Sequence, residues 1–118
     1  MTDVLLVEDE LLIRELVREV LTDSGLGVVA VGTAEIALRR LGEEPEGFKV
    51  LLTDINLGGE VTGFELAARG RTLNPDLKVV YMTGLPSNLY GLAEEALMFP
   101  KPFDVEDLAV RLKLLLGR

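Results

Sequence analysis

Acidic residues follow or close two apolar runs of this chain, and a lysine follows another. Glu8 and Asp9 come directly after the first run. Asp54 closes a run in the middle of the chain, and Lys101 comes shortly after the last one. If these runs are parallel strands, three carboxylates and one ammonium group meet at the carboxyl edge of one sheet, where open α/β sheets bind ligands. Such a group could hold a divalent cation beside an aspartate that accepts a phosphoryl group.

Glu8, Asp9 and Asp54 are the predicted ligands of this cation. If their strands are neighbours, three like charges lie at short range, and a bound cation would relieve their repulsion. Oxygen ligation by a few carboxylates is typical of Mg²⁺, and the backbone carbonyl of Asn56 could complete the coordination. An isolated acid at a strand end is more often a solvated loop residue or a helix cap, and Asp9 in particular could cap the first helix.

The same edge carries the groups needed for phosphoryl transfer to a carboxylate. Asp54 is the candidate nucleophile, because a carboxylate can attack phosphorus and form an acyl phosphate. Lys101 would neutralise charge on the transferring oxygens, and Pro102 favours an extended backbone for the lysine before it. Thr83, at the end of the fourth apolar run, offers a hydroxyl that could donate to a phosphate oxygen.

The composition excludes several classes of protein. The 118 residues fit one domain, and the chain contains neither cysteine nor histidine. Thiol catalysis, imidazole ligands for zinc and a phosphohistidine on this chain are therefore excluded. The net charge of −8 disfavours nucleic-acid binding. We also expect no membrane insertion and a cytoplasmic location, because no apolar stretch is long enough to cross a bilayer and the amino terminus lacks the basic flank of a signal peptide.

Five continuous apolar runs alternate with segments of helical spacing, and continuous apolarity is typical of strands buried on both faces. The predicted strands are residues 4–7, 26–31, 48–53, 77–82 and 96–99. The predicted helices cover about residues 10–22, 33–42, 63–72, 87–95 and 104–116, with Thr33 as the N-cap of the second. This alternation predicts an α/β fold, a five-stranded doubly wound parallel sheet with five helices, over residues 1–118 as a single domain.

The chain resembles a response-regulator receiver domain of two-component signalling over its whole length. The matching segments are Val7-Glu8-Asp9-Glu10, Thr53-Asp54-Ile55-Asn56-Leu57, Met82-Thr83-Gly84 and Lys101-Pro102-Phe103. The resemblance is to the chemotaxis-regulator type, and it implies a flavodoxin-like fold with no output domain. It also implies that Glu8 and Asp9 position Mg²⁺, with the Asn56 carbonyl as a further ligand.

By this resemblance Asp54 takes its phosphoryl group from a histidine on a sensor histidine kinase or a histidine phosphotransfer protein. Thr83 is similar to the switch hydroxyl that turns toward the phosphoryl group, and Lys101 is similar to the lysine that contacts it. Phosphorylation would then change binding to a downstream protein target. The chain would be no enzyme in the usual sense, since it would catalyse only its own Mg²⁺-dependent phosphorylation and dephosphorylation.

Three features depart from the family pattern. Met98 stands three residues before the lysine, where the family usually has a switch aromatic, and Tyr81 or Phe99 could substitute for it. The segment between the switch threonine and the lysine is several residues shorter than usual, so we expect the fourth helix to be short or irregular. The loop after the acceptor contains Gly58 and Gly59 where a proline is common, which predicts a more mobile loop.

The last predicted helix has an apolar face directed away from its core-facing side. At ~100° per residue, Val110 and Leu114 lie about opposite the core-facing stripe and should be exposed. This pair could form a homodimer contact or a contact with another partner.

Three alternatives to a phosphorylated switch have different requirements. A receiver that no longer uses phosphate would act as a phosphorylation-independent binding module, which Met98 and the short fourth helix favour. A flavin- or nucleotide-binding protein of similar fold needs a phosphate-cradling loop after the first strand, where Glu8-Asp9-Glu10 would instead repel phosphate. A hydrolase with an aspartyl nucleophile should carry a second aspartate two residues later, and position 56 is asparagine.

Overall fold

A five-stranded parallel sheet forms the centre of the computed structural model, which describes residues 3–44, 47–83, 97–100 and 105–117. The strands are β1 (Val4–Val7), β2 (Val28–Val31), β3 (Val50–Asp54), β4 (Lys78–Thr83) and β5 (Leu97–Pro100). They lie in the order β2-β1-β3-β4-β5, and every neighbouring pair is parallel. The predicted parallel sheet is therefore confirmed, and β2 and β3 begin two residues later than expected.

Four helices lie within the part of the chain that the structure describes. They are α1 (Leu11–Asp23), α2 (Ala34–Glu43), α3 (Gly63–Leu73) and α4 (Val105–Leu115). The helix predicted over residues 87–95 lies outside the described residues, so α4 is the helix predicted as the fifth. None of the helices in the described part is both long enough and apolar enough to cross a bilayer.

Threonine side chains begin two of the helices. The Thr33 hydroxyl accepts a hydrogen bond from the Ile36 amide at 3.2 Å, which confirms Thr33 as the N-cap of α2. Thr62 caps α3 in the same way through the Glu65 amide. The N-cap of α1 is Glu10, which makes no side-chain capping bond. Asp9 is therefore not the cap of α1.

The sheet is covered on both faces, and each face has its own apolar core. Side chains alternate between the faces along each strand. Leu5 and Leu51 belong to the core under α2 and α3, whereas Leu6 and Leu52 belong to the core under α1 and α4. All four of these leucines are fully buried. The strands are thus held rigidly from both sides, and their carboxyl ends have well-defined positions.

Helix α1 carries two adjoining apolar stripes of helical spacing, and only one of them enters the core. Val17 and Leu21 are buried, whereas Leu12 and Leu16 are 84% and 52% exposed. On α4 the residues Leu108, Ala109 and Leu112 are buried, and Val110 and Leu114 are exposed. The predicted exposure of Val110 and Leu114 is confirmed.

The two stripes of α1 should respond differently to the same substitution. Because Leu21 is fully buried and Leu16 is half exposed, Leu21→Ala should lower the free energy of unfolding by about 2–5 kcal/mol. Leu16→Ala should lower it by less than about 1 kcal/mol. Urea denaturation followed by circular dichroism measures both values, and similar losses in the two variants would contradict this assignment of the core.

Candidate metal and phosphoryl-acceptor site

The register of the sheet brings the three predicted acids together. Val7 of β1 pairs with Thr53 of β3, so Glu8 and Asp54 come next at the same level of the carboxyl edge. Carboxylate oxygens of Glu8, Asp9 and Asp54 all lie within 4.8 Å of one another. Glu8 is fully buried, Asp54 is 9% exposed, and Asp9 is open to solvent. The cluster therefore has a buried floor and one side that a ligand can reach.

This donor set fits Mg²⁺. The ion takes oxygen ligands at about 2.0–2.1 Å in an octahedron, so opposite ligands lie about 4.2 Å apart. Of three ligands only one pair can be opposite, and adjacent ligands lie about 2.9 Å apart, so some of the carboxylate oxygens, now within 4.8 Å of one another, would have to close by up to about 2 Å around the ion. A bound cation would also offset the repulsion of three carboxylates in a partly buried position. Glu8, Asp9 and Asp54 are thus the described residues that could hold the ion.

Hydrogen bonds fix the backbone and the side chain of Asp54. The backbone amide of Asn56 donates to Asp54 Oδ1 at 3.1 Å, which orients the carboxylate. The buried Thr53 hydroxyl donates to the Asp54 carbonyl oxygen at 2.9 Å, and the Ile55 amide donates to the Met82 carbonyl oxygen of β4 at 3.3 Å. Asp54 therefore lies on backbone that β4 and the loop itself hold in place.

Gly63, the first residue of α3, packs directly on the backbone of Asp54 and Ile55. Its amide donates to the Ile55 carbonyl oxygen at 2.8 Å. A Cβ at this position would overlap the Asp54 carbonyl oxygen and lie 2.9 Å from the Ile55 Cα. Only glycine permits this approach, so the start of α3 and the position of Asp54 depend on each other.

Gly58 plays a comparable part beside Asp9. It has a φ of +74°, in the left-handed region that favours glycine. A Cβ at Gly58 would lie 3.2 Å from Asp9 Oδ2. The sequence suggested only that the glycines make this loop mobile. The structure shows why glycine fits position 58, because its left-handed backbone lets the loop turn close to Asp9, a candidate metal ligand.

The other predicted residues of the site are only partly described. Thr83 ends β4 and pairs with Pro100 of β5, and the structure describes its backbone alone. Lys101, the next residue in the sequence, lies outside the described residues. Met98 lies in β5 and pairs with Tyr81. The roles of Thr83 and Lys101 stay predictions.

Tyr81 is buried in the core under α2 and α3. Its ring meets Phe64 edge to face, with ring centroids 5.0 Å apart and an interplanar angle of 62°. Burial raises the pKa of the Tyr81 hydroxyl above its ordinary value of 10.0. The ring is 5% exposed. Tyr81 is thus part of the core packing beneath the site, and its substitution for the switch aromatic stays a prediction.

A family model of the response regulator receiver domain matches residues 4–113. The chain belongs to this family. It is a receiver domain of two-component signalling, as its motifs suggested, and its recognition as such is confirmed.

Similar proteins cover almost the whole receiver domain. CpdR, a response regulator receiver protein of Brucella abortus strain 2308, is 33% identical over 120 residues, which are 98% of this chain and 98% of that protein. A CheY-like receiver domain protein of Methanospirillum hungatei JF-1 has a TM-score of 0.85 at 27% identity, over 99% of this chain and 94% of that one. A receiver protein of Sinorhizobium medicae WSM419 has a TM-score of 0.87 at 24% identity, over 98% and 94% of the two chains. This last likeness shows the fold alone. The flavodoxin-like fold class is confirmed.

Several residues that shape the site of this receiver domain escaped sequence reasoning. Thr53, Gly58 and Gly63 carry no charge. Thr53 holds the backbone by a hydrogen bond, and the two glycines leave room for neighbouring atoms. Arg14 belongs to no motif of the sequence, yet its guanidinium donates to the Glu8 carbonyl oxygen at 2.9 Å. A glycine at the first position of α3 was a usable signal for close packing. Only the folded chain shows which atoms these residues approach.

Alanine substitutions at Gly63 and Gly70 of α3 should distinguish a contact with the backbone of the site from a contact with core side chains. Gly63→Ala places a Cβ against the backbone of Asp54 and Ile55 and should lower the free energy of unfolding by about 1–3 kcal/mol. At Gly70 the Cβ would instead meet methyl groups of Leu77 and Leu41 at 3.0 and 3.3 Å. Those side chains can move, and alanine has a helix propensity better than that of glycine by up to about 1 kcal/mol. Gly70→Ala should therefore lower the free energy of unfolding by less than Gly63→Ala does.

Denaturant unfolding measures the stability of both variants, and amide chemical shifts report changes in the loop after Asp54. We expect shifts at Ile55 and Asn56 in Gly63→Ala and not in Gly70→Ala. Unchanged loop shifts in Gly63→Ala would mean that the start of α3 does not position Asp54.

Proposed function

We propose that this receiver domain is a phosphorylated switch in which Asp54 accepts a phosphoryl group with the help of Mg²⁺. The donor is a phosphohistidine on a sensor histidine kinase or a histidine phosphotransfer protein. The observation that carries the proposal is the cluster of three carboxylate oxygens within 4.8 Å at the carboxyl edge of the sheet. The chain itself has no histidine, so the phosphorylated imidazole must belong to a partner.

In the transfer step, an oxygen of Asp54 forms a bond to phosphorus while the phosphorus–nitrogen bond of the donor breaks. The imidazole leaves with the electron pair. The hydrogen bond from the Asn56 amide keeps the carboxylate oriented for this attack. Bound Mg²⁺ would supply positive charge at the oxygens of the transferring group. Glu8 and Asp9 would hold the ion together with Asp54, and the Asn56 carbonyl is the proposed further ligand.

Thr83 and Lys101 are the proposed sensors of the phosphoryl group. Thr83 pairs with Pro100, and Lys101 follows Pro100 in the sequence. Thr83 therefore ends a strand at the same edge as Asp54, and Lys101 comes directly after the last residue of β5. The Lys101 ammonium would neutralise phosphoryl oxygens, and the Thr83 hydroxyl would donate to one of them.

The proposed output is a change in protein–protein interactions at the surface around these strands. The phosphoryl group adds charge and acceptor oxygens, which recruit side chains and stabilise one of two loop arrangements. We place this exchange in the cytoplasm, with a downstream protein as the target. Direct nucleic-acid binding is not part of the proposal, because the net charge is −8. The only reactions assigned to the chain are its own phosphorylation and dephosphorylation.

Intact mass spectrometry after incubation with acetyl phosphate and Mg²⁺ tests the proposal. We expect one phosphoryl group on the native chain, none on Asp54→Asn and none without Mg²⁺. Asp76→Asn is the matched control, because it removes the same charge from an exposed turn between α3 and β4, and it should be phosphorylated like the native chain.

An unmodified native chain would contradict the proposal, provided that a beryllofluoride and Mg²⁺ mixture also leaves its amide spectrum unchanged. That pair of results would favour the alternative function, a binding module that works without phosphorylation. An adduct that persists in Asp54→Asn would place the acceptor elsewhere.

A contact between two copies through α4 is a separate prediction. Val110 and Leu114 are 54% and 67% exposed on this helix and could pack against the same residues of a second copy. Sedimentation velocity should then show a dimer that Leu114→Gln weakens, whereas Leu12→Gln on the exposed face of α1 should leave it unchanged. A native chain that sediments as a monomer with and without phosphorylation would contradict this contact.

A further inference from the structure

Arg14 of α1 reaches back to the turn that carries two of the candidate metal ligands. Its Nη1 donates to the Glu8 carbonyl oxygen at 2.9 Å, across six residues of sequence. Arg14 is half-buried. A hydrogen bond from a charged donor is stronger than one between neutral groups, and the planar guanidinium loses little freedom in forming it.

Glu8 is held on its other side by β2. Its amide donates to the Val31 carbonyl oxygen at 3.1 Å. The backbone N–H of Glu8 is thus tied to β2, and its C=O is tied to α1. These two bonds leave the Glu8 peptide groups little freedom to rotate. The direction of the fully buried Glu8 carboxylate, and of the Asp9 side chain that follows, depends on those peptide groups.

Gly32, directly after β2, provides the space that Arg14 occupies. A Cβ at Gly32 would lie 2.7 Å from Arg14 Nη1 and 3.6 Å from its Cζ. Among the described glycines, positive φ angles occur at Gly25, Gly58 and Gly117, so the backbone at Gly32 does not itself require glycine. The missing side chain matters here because the guanidinium lies in its place.

We infer that Arg14, packed on Gly32, is a positioning residue of the metal site, which holds the Glu8 carbonyl and so keeps Glu8 and Asp9 directed at the cation. This inference rests on the proposed Mg²⁺ function. Residues that orient metal ligands typically change metal affinity by about 10–100-fold when they are removed. Arg14 acts through Glu8 and is not itself a ligand.

Isothermal titration with Mg²⁺ tests the inference on four variants of the full chain. Arg14→Met keeps an apolar stem and removes the donor, and it should weaken Mg²⁺ binding about tenfold. Arg14→Lys keeps one donating charge and should recover part of the loss. Gly32→Ala displaces an intact guanidinium and should also weaken binding. Gly42→Ala, where a Cβ would meet nothing within 4 Å, should bind like the native chain.

The double variant Arg14→Met/Gly32→Ala decides whether the two residues act together. If Gly32 matters only because Arg14 lies on it, the double variant should bind no more weakly than Arg14→Met alone. Additive losses would overturn the link between them. Native affinity in Arg14→Met would overturn the positioning role outright.

Metal-free measurements distinguish this inference from the proposed function. Urea unfolding without Mg²⁺ shows that each variant is folded under the titration conditions, so that an affinity loss is not a loss of fold. Without metal, the amide chemical shifts of Glu8, Asp9 and Glu10 should differ from those of the native chain in Arg14→Met and match them in Gly42→Ala. A native chain that binds no Mg²⁺ would overturn the proposed function. The metal-free shifts would then still decide whether Arg14 positions Glu8, and unchanged shifts would overturn that too.

Discussion

The parallel register between β1 and β3 is the constraint on which the site depends. The pairing of Val7 with Thr53 brings Glu8 level with Asp54, and the buried apolar cores on both faces hold the two strands in that register. A one-residue slip would turn every buried side chain of a strand to the opposite core. Hydrophobic packing thus holds three carboxylates close together, and a cation bound between them would relieve their repulsion.

Backbone contacts and hydrogen bonds then fix the positions of the individual carboxylates. The start of α3 packs at Gly63 on the backbone of Asp54 and Ile55, and Gly58 lets the loop after Asp54 turn beside Asp9. Thr53 and the Asn56 amide hold Asp54 by hydrogen bonds. Most of these groups carry no charge of their own. They position the acids because the space and the hydrogen-bonding geometry around each acid are filled from several elements at once.

Much of the fold could be predicted because its signals are local. Continuous apolar runs identified the strands, and Thr33 marked the start of α2 as expected. The same local signals could not tell which of the two apolar stripes on α1 enters the core, since both have helical spacing. Leu21 is buried and Leu16 is exposed because α1 also packs beside α4, a contact made by residues far apart in the sequence.

The sequence by itself determined the chemistry of this receiver domain. Carboxylates at strand ends, together with the lack of histidine and cysteine, allow ligation of a metal by oxygen and exclude imidazole and thiolate ligands from this chain. Only the tertiary structure decided that Asp9 is free of the helix-capping role, that Gly63 must lack a Cβ, and that Arg14 lies on Gly32. The reason is physical: residue type sets which bonds a group can form, whereas close contacts between distant segments exist only once the core has fixed their positions.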